Sequence, residues 1–227
     1  MAHYVVSDIH GESDRFFGML DKIRFLDTDT LYILGDVVDR GPEGIGILQK
    51  IMSSSNMVMI LGNHEHMMLE YLGPDPDPIA VRRWDKNGNG PTLEGFSKLD
   101  AESRRNMLAY LKSLPSHLEV EVSGKRFYMV HGFPGETVFE EVWSRPQLDT
   151  PNPGIDGRII LGHTPVQYLI RSEEERMRYL ADVEARDTHL IIYHGNGFID
   201  IDCACGHHCP VKALACIRLE DMAEFYI

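Results

Sequence analysis

Short apolar runs, each closed by a small polar cluster, recur along the chain. Tyr4–Val6, Leu31–Leu34, Val58–Leu61, Phe127–Val130 and Ile159–Leu161 are each long enough for a buried strand and too short for a helix. Between them the period changes. From Glu12 to Phe25, Phe16, Leu20 and Ile23 fall at helical spacing, with acidic residues in the first turn where the helix dipole favours them. Glu43 to Met52 carries Ile47, Leu48 and Ile51 and predicts a second helix. Strand, helix and strand in succession predict parallel units.

The middle and end of the chain give a mixed pattern. The prolines of Gly73-Pro74-Asp75-Pro76-Asp77-Pro78 block regular structure and predict an exposed loop. Trp84 to Gly90 reads as turn chemistry, and Asp100 as the cap of a helix carrying Met107, Leu108, Leu111 and Leu114. His117 to Val122 alternates with period two and predicts a hairpin with Arg126 to Val130 through Ser123-Gly124. Ser172 to Asp187 is highly charged, with one apolar stripe of Met177, Leu180 and Val183, and predicts a solvated surface helix.

The candidate chemistry lies at the strand ends. Asp8 and His10 follow the first run, and Gly35 to Gly41, with Asp36, Asp39 and Arg40, follow the second. Gly62-Asn63-His64-Glu65, His131-Gly132 and Gly162-His163-Thr164 close the other three. In sheets built from parallel units the ligand site lies beyond the carboxyl ends of the strands, so these residues are expected to converge in one crevice. Any one of them alone reads as a turn, a cap or a solvated side chain. Two Asp, three His and one Asn suit transition metals better than calcium or magnesium. Six side chains are too many for one ion that must keep open positions. Two ions sharing a bridging carboxylate fit better, and such pairs clamp both oxygens of an in-line displacement at phosphorus.

Composition sets bounds on this picture. The chain has 227 residues, 43% of them apolar, enough for one domain spanning 1–227 with a sizeable core. A formal charge of −13 argues against a partner that is nucleic acid or anionic membrane, and no apolar run reaches membrane-spanning length. With no signal-peptide pattern, Cys203, Cys205, Cys209 and Cys216 are expected as reduced thiols in a cytoplasmic protein. The eleven methionines are read as core fillers.

Ser7-Asp8-Ile9-His10-Gly11, Gly35 to Gly41, Gly62 to Glu65, His131-Gly132 and Gly162-His163-Thr164 resemble, in order, the signature of the phosphoprotein phosphatase branch of the calcineurin-like metallophosphoesterases. The small bacterial and phage lambda-type serine/threonine phosphatases are the nearest in size. The resemblance implies an α/β fold with a central β-sandwich flanked by helices in four αββα layers, where the strand-helix-strand pattern alone would give one open sheet. It implies Asp8 and His10 on a first metal, Asp36 bridging, and Asn63, His131 and His163 on a second. The ions would be divalent, manganese first, with iron or zinc as the other candidates. It further implies direct attack on phosphorus by a hydroxide held between the ions, with His64 as general acid oriented by Asp39. Arg40, and Arg145 in Trp143-Ser144-Arg145, would bind the phosphoryl oxygens.

The substrate so implied is a phosphomonoester, phosphoserine or phosphothreonine and also phosphotyrosine, in a protein or peptide. A dinucleoside polyphosphate hydrolase of the diadenosine tetraphosphatase type shares the signature and is the alternative; Asp39 tips the reading toward the phosphatase, since the symmetrical tetraphosphatases tend to carry another residue there. A scaffold that has lost catalysis would require a broken ligand set. Phe198 to Cys205 and Val211 to Leu219 look like the closing hairpin of the family, in preference to a zinc site in Cys203 to Cys209.

Overall fold

Backbone pairing gathers the apolar runs into two five-stranded sheets in the computed structural model, which describes residues 1–227. The first sheet contains β1 (His3–Val6), β2 (Thr30–Ile33), β3 (Met57–Met59), β9 (Ala215–Arg218) and β10 (Ala223–Tyr226), ordered β10-β9-β1-β2-β3. β1, β2 and β3 are parallel, with Tyr4 opposite Leu31 and Ile33 opposite Met59. β9 and β10 close this sheet antiparallel. The second sheet contains β4 (His117–Val122), β5 (Lys125–Val130), β6 (Arg158–Leu161), β7 (Tyr193–His194) and β8 (Ile199–Asp200), ordered β4-β5-β6-β8-β7.

Alternation along each strand decides what it packs against. Val5, Leu34 and Ile60 point from the first sheet into a core shared with Phe127, Met129, Ile160 and Ile199 of the second. Tyr4, Val6, Leu31 and Ile33 point the other way, onto Phe16 and Met19 of α1 (Ser13–Lys22) and Ile47, Leu48 and Ile51 of α2 (Gly44–Met52). Each such side chain taken fully out of water stabilises the fold by roughly 1.5–3 kcal/mol. α3 (Asn63–Tyr71), α4 (Pro78–Asp85), α5 (Gly90–Lys98) and α6 (Ala101–Ser113) enlarge this outer layer through Met67, Trp84, Phe96 and Met107. On the outer face of the second sheet, Tyr128 hydrogen-bonds Glu141 of α7 (Val138–Trp143) at 2.7 Å. The fold is thus the helix-flanked sandwich, and the open sheet suggested by periodicity alone is corrected.

Local signals hold in several places. Asp100 Oδ1 accepts from Ser103 N at 2.7 Å and caps α6, and Ser172 caps α8 (Glu173–Ala185). Ser123 and Gly124, both at positive φ, form the turn between β4 and β5. One expectation holds only in part and another fails. Lys86 to Gly88 form a turn, but Trp84 lies inside α4, which starts at Pro78 with Asp77 as its cap, and α5 begins at Gly90 where no helix is legible. The segments Phe198–Cys205 and Val211–Leu219 do not pair as a hairpin: β8 belongs to the second sheet and β9 to the first, so the chain crosses the sandwich between them. The closing hairpin is β9 with β10. That crossing also separates the thiols, with Cys203 in the core between the sheets and Cys205 on the helix side of the first sheet.

Candidate metal centre and catalytic crevice

Each strand-end motif leaves its sheet by a sharp turn. Asp8, His10, Asp36, Asp39, Arg40 and His163 all have positive φ, a conformation rarely adopted by residues other than glycine. Such strain persists only where surrounding structure enforces it, and here it concentrates in one crevice. Glu65, fully buried in the first turn of α3, supplies part of the enforcement. Its carboxylate accepts from Asp36 N and Val37 N, both at 2.8 Å, and from Val38 N and Gly62 N, both at 3.2 Å. One side chain therefore ties the turn after β2 to the turn after β3. Gly62 packs so closely on Asp36 that a Cβ there would overlap the carboxylate.

Asp36 is the centre of the donor set. Its Oδ2 lies 3.6 Å from His10 Nε2, and its Oδ1 lies 3.3 Å from His131 Nε2. Asp8 Oδ1 is 3.8 Å from His10 Nε2, and Asn63 Oδ1 is 2.9 Å from His131 Nε2. His163 reaches the set through its own backbone, its N–H donating to Asp8 Oδ2 at 2.9 Å. His10, Asp36 and His64 form one group of close donor atoms, and Asp36, His131 and His163 form another, so Asp36 belongs to both. All of these side chains are buried.

The ring nitrogens are assigned by their partners. His10 Nδ1 faces Val38 O at 3.0 Å and His131 Nδ1 faces Leu34 O at 2.6 Å, leaving each Nε2 turned toward Asp36. Burial, reinforced by neighbouring imidazoles, holds His10 and His163 well below the ordinary histidine range, so both rings are neutral, the form that binds metal. Burial alone would raise Asp36, but the His131 and His64 rings outweigh it and keep the carboxylate ionised. Burial alone would lower His131, which Asp36 instead lifts to about 9. Burial and the nearby Asp36 charge push Glu65 up to about 7.

His64 stands apart in its partners. Its Nδ1 meets Asp39 Oδ2 at 2.6 Å, and its Nε2 lies 3.2 Å from Arg40 Nη2 and 3.8 Å from Asp36 Oδ2. Asp39 is completely buried and saturated: Trp84 Nε1 donates to its Oδ2 at 2.6 Å, and the Thr92 hydroxyl donates to its Oδ1 at 2.6 Å. Arg40 Nη1 is buried without a hydrogen-bond partner, which leaves a cationic donor available to an anion. Arg145, which lines the same crevice as Arg40, donates to His163 O at 3.1 Å. This crevice, of about 370 Å³, is also lined by Asp36, Asn63, His64 and His163.

All ten candidate residues thus fall in or around one crevice. Sequence reading assigns no role to Glu65, Trp84 or Thr92, nor to Tyr168 and His207 at the rim. Glu65 had a detectable signal, since a Glu three residues after a helix cap is the capping-box position. Burial, followed by the charge of Arg40, lowers His207 to about 4.

Two overlapping groups of nitrogen and oxygen donors, with two arginines lining the same crevice, define a site suited to a pair of divalent ions and an anionic substrate. The model of the calcineurin-like phosphoesterase family matches residues 1–210, and the chain belongs to that family, whose members use a dinuclear metal centre. Serine/threonine-protein phosphatase 1 of Salmonella typhimurium is 30% identical over 179 residues, covering 72% of this chain and 79% of that protein. The symmetrical bis(5'-nucleosyl)-tetraphosphatase of Salmonella paratyphi A is 40% identical over 76 residues, covering 32% of this chain and 27% of that protein. The chain therefore matches about a quarter of the length of that tetraphosphatase. Among solved structures, a candidate diadenosine tetraphosphatase superposes with a TM-score of 0.63 at 16% identity, covering 100% of this chain and 92% of the other. A metallophosphoesterase from Sphaerobacter thermophilus gives 0.57 at 17% identity, covering 100% and 87%. These two likenesses establish the fold.

Proposed function

We propose that residues 1–227 form one domain that hydrolyses phosphomonoesters, foremost phosphoserine and phosphothreonine in proteins, with phosphotyrosine as a further substrate. The observation that carries this reading is the Asp39–His64 pair at 2.6 Å beside the donor set, with Arg40 alongside. Asp8 and His10 would hold one ion, Asn63, His131 and His163 the other, and Asp36 both. Manganese is the proposed pair, with iron or zinc accepted by the same donors. When bound, the ions supply Lewis-acid polarisation of the phosphoryl group and acidify water in the site.

The chain's own residues do the rest. Arg40 and Arg145, both lining the crevice, bind and orient the phosphoryl oxygens. Asp39 holds the Nδ1 side of His64 and points Nε2 at the leaving oxygen, to which His64 delivers a proton. Trp84 and Thr92 hold Asp39 in turn.

Hydrolysis of diadenosine tetraphosphate is the second reading, favoured by the 40% identity to the symmetrical tetraphosphatase. The first leads because the likeness to phosphatase 1 extends over most of both chains. Manganese-loaded protein assayed on a phosphoserine peptide and on diadenosine tetraphosphate separates them. Phosphate release from the peptide supports the phosphatase. Nucleotide release alone, with the peptide untouched, overturns it.

A further inference from the structure

A groove of about 540 Å³ opens beside the catalytic crevice and shares Arg40, Asn87 and His207 with it. We propose that this groove is a subsite for a second anionic side chain, a carboxylate or phosphate, flanking the scissile phosphoserine of an acidic phosphopeptide. The inference rests on the phosphoprotein reading above and narrows its substrate class.

Charge is the first argument. The groove is lined by Arg40, Lys86 and Lys212 against a single carboxylate, Glu12, whose Oε1 lies 2.9 Å from Lys212 Nζ. Lys86 is exposed and makes no ion pair, and its neighbour Asp85, engaged with Asn89 Nδ2 at 2.9 Å, does not line the groove. A local excess of positive charge runs against a chain of net charge −13, so an acidic ligand gains most by docking here.

Lining is the second. Apart from Pro91, every residue of the groove is polar, charged or glycine. A nucleobase binds best against apolar or aromatic walls, and here only Pro91 and the His207 and His208 rings offer one, with His207 tilted against Tyr168 at a centroid distance of 6.3 Å. A polar, charged segment of extended peptide suits the groove better than adenosine does.

The third argument is how the wall is built. Gly206 lies against His10, where any Cβ would overlap the ring. Cys203 and Cys205 anchor the chain just before it, one in each core. The Cys/His-rich segment is therefore clamped to the metal-site histidine at one end and presents His207, His208 and Lys212 to the groove at the other.

The test compares two phosphoserine peptides differing only in flanking Glu or Gln residues, on manganese-loaded full-length protein. Wild type should prefer the acidic peptide in kcat/KM by roughly two- to fivefold at low salt, as an ion pair to exposed Lys86 would give with a smaller share from Lys212, already paired with Glu12. The preference should shrink as salt rises. It should fall toward unity in Lys86→Gln/Lys212→Gln, fall part of the way in Lys86→Gln alone, and return in Lys86→Arg. Equal turnover of both peptides by wild type, or a preference unchanged in Lys86→Gln and in the double variant, overturns the subsite and leaves the phosphatase reading intact. If neither peptide turns over while diadenosine tetraphosphate does, the phosphatase reading itself falls.

Discussion

At the scale of single residues, the site is a set of turns held by side chains from elsewhere in the chain. Asp8, His10, Asp36, Asn63, His131 and His163 are legible because each closes an apolar run, and strand ends of parallel units converge. The supports are not legible. Trp84 and Thr92 reach Asp39 across 45 and 53 residues, and no local pattern announces such contacts. His64→Gln should lower kcat on a phosphoserine peptide by about 100- to 10,000-fold, the usual worth of a general acid, while metal content measured by elemental analysis stays at the wild-type level. Thr92→Val removes one donor from Asp39 and should cost about 10- to 100-fold in kcat, with KM little changed, if Asp39 acts by orienting His64. A loss confined to KM would remove that role.

At the scale of elements, helices announced by caps were easier to read than those that were not. Asp100 and Ser172 sit just before α6 and α8 and accept from backbone N–H groups there. Asp77-Pro78 is an equally good start signal for α4, since Asp77 Oδ1 accepts from Ile79 N at 3.0 Å and Pro at the first helical position loses no hydrogen bond. The proline run before it masks this signal and favours a loop. The crossing from β8 to β9 was illegible for a different reason. Strand propensity reports that a segment is extended but not which sheet it joins, so nothing in Phe198–Cys205 and Val211–Leu219 corrected their likeness to the family's closing hairpin.

The first sheet is also pinned through side chains. Glu220, just past β9, accepts from the backbone N–H of His3 at 3.1 Å, and its carboxylate lies 2.7 Å from His3 Nδ1. Burial alone would raise Glu220, but the hydrogen bonds from His3 outweigh it and the carboxyl is lowered. A depressed carboxylate stabilises the fold above its unfolded value of 4.5, and this contribution is lost as pH falls through the folded value. Urea denaturation should therefore show Glu220→Gln less stable than wild type at neutral pH, with the gap closing in acid. A gap that widens in acid would contradict the assignment.

At the scale of the whole molecule, the sandwich places two differently supported sheets around one mouth. The first contributes Asp8, His10, Asp36, Asn63 and His64 from parallel strands backed by α1 to α6, and the second contributes His131 and His163 from β5 and β6. Ions in the mouth would join the two halves. Binding to the folded state alone stabilises by about 2.7 kcal/mol at a hundredfold excess over Kd, so chelation should lower Tm and manganese should restore it. Differential scanning calorimetry with and without chelator checks this, and an unchanged Tm would count against a centre spanning both sheets. No helix is long and apolar enough to cross a membrane.

Asp36 belongs to both donor groups and is proposed to serve two ions at once. Elemental analysis of manganese-loaded wild type and Asp36→Asn, each paired with turnover of a phosphoserine peptide, tests it most directly. The proposed function predicts about two ions per chain in wild type and loss of tight binding at both positions in the variant, together with hydrolysis, because a carboxylate shared by both donor groups would serve both ions. A variant that keeps two ions, or a wild type that turns over the peptide with one or none, would contradict it.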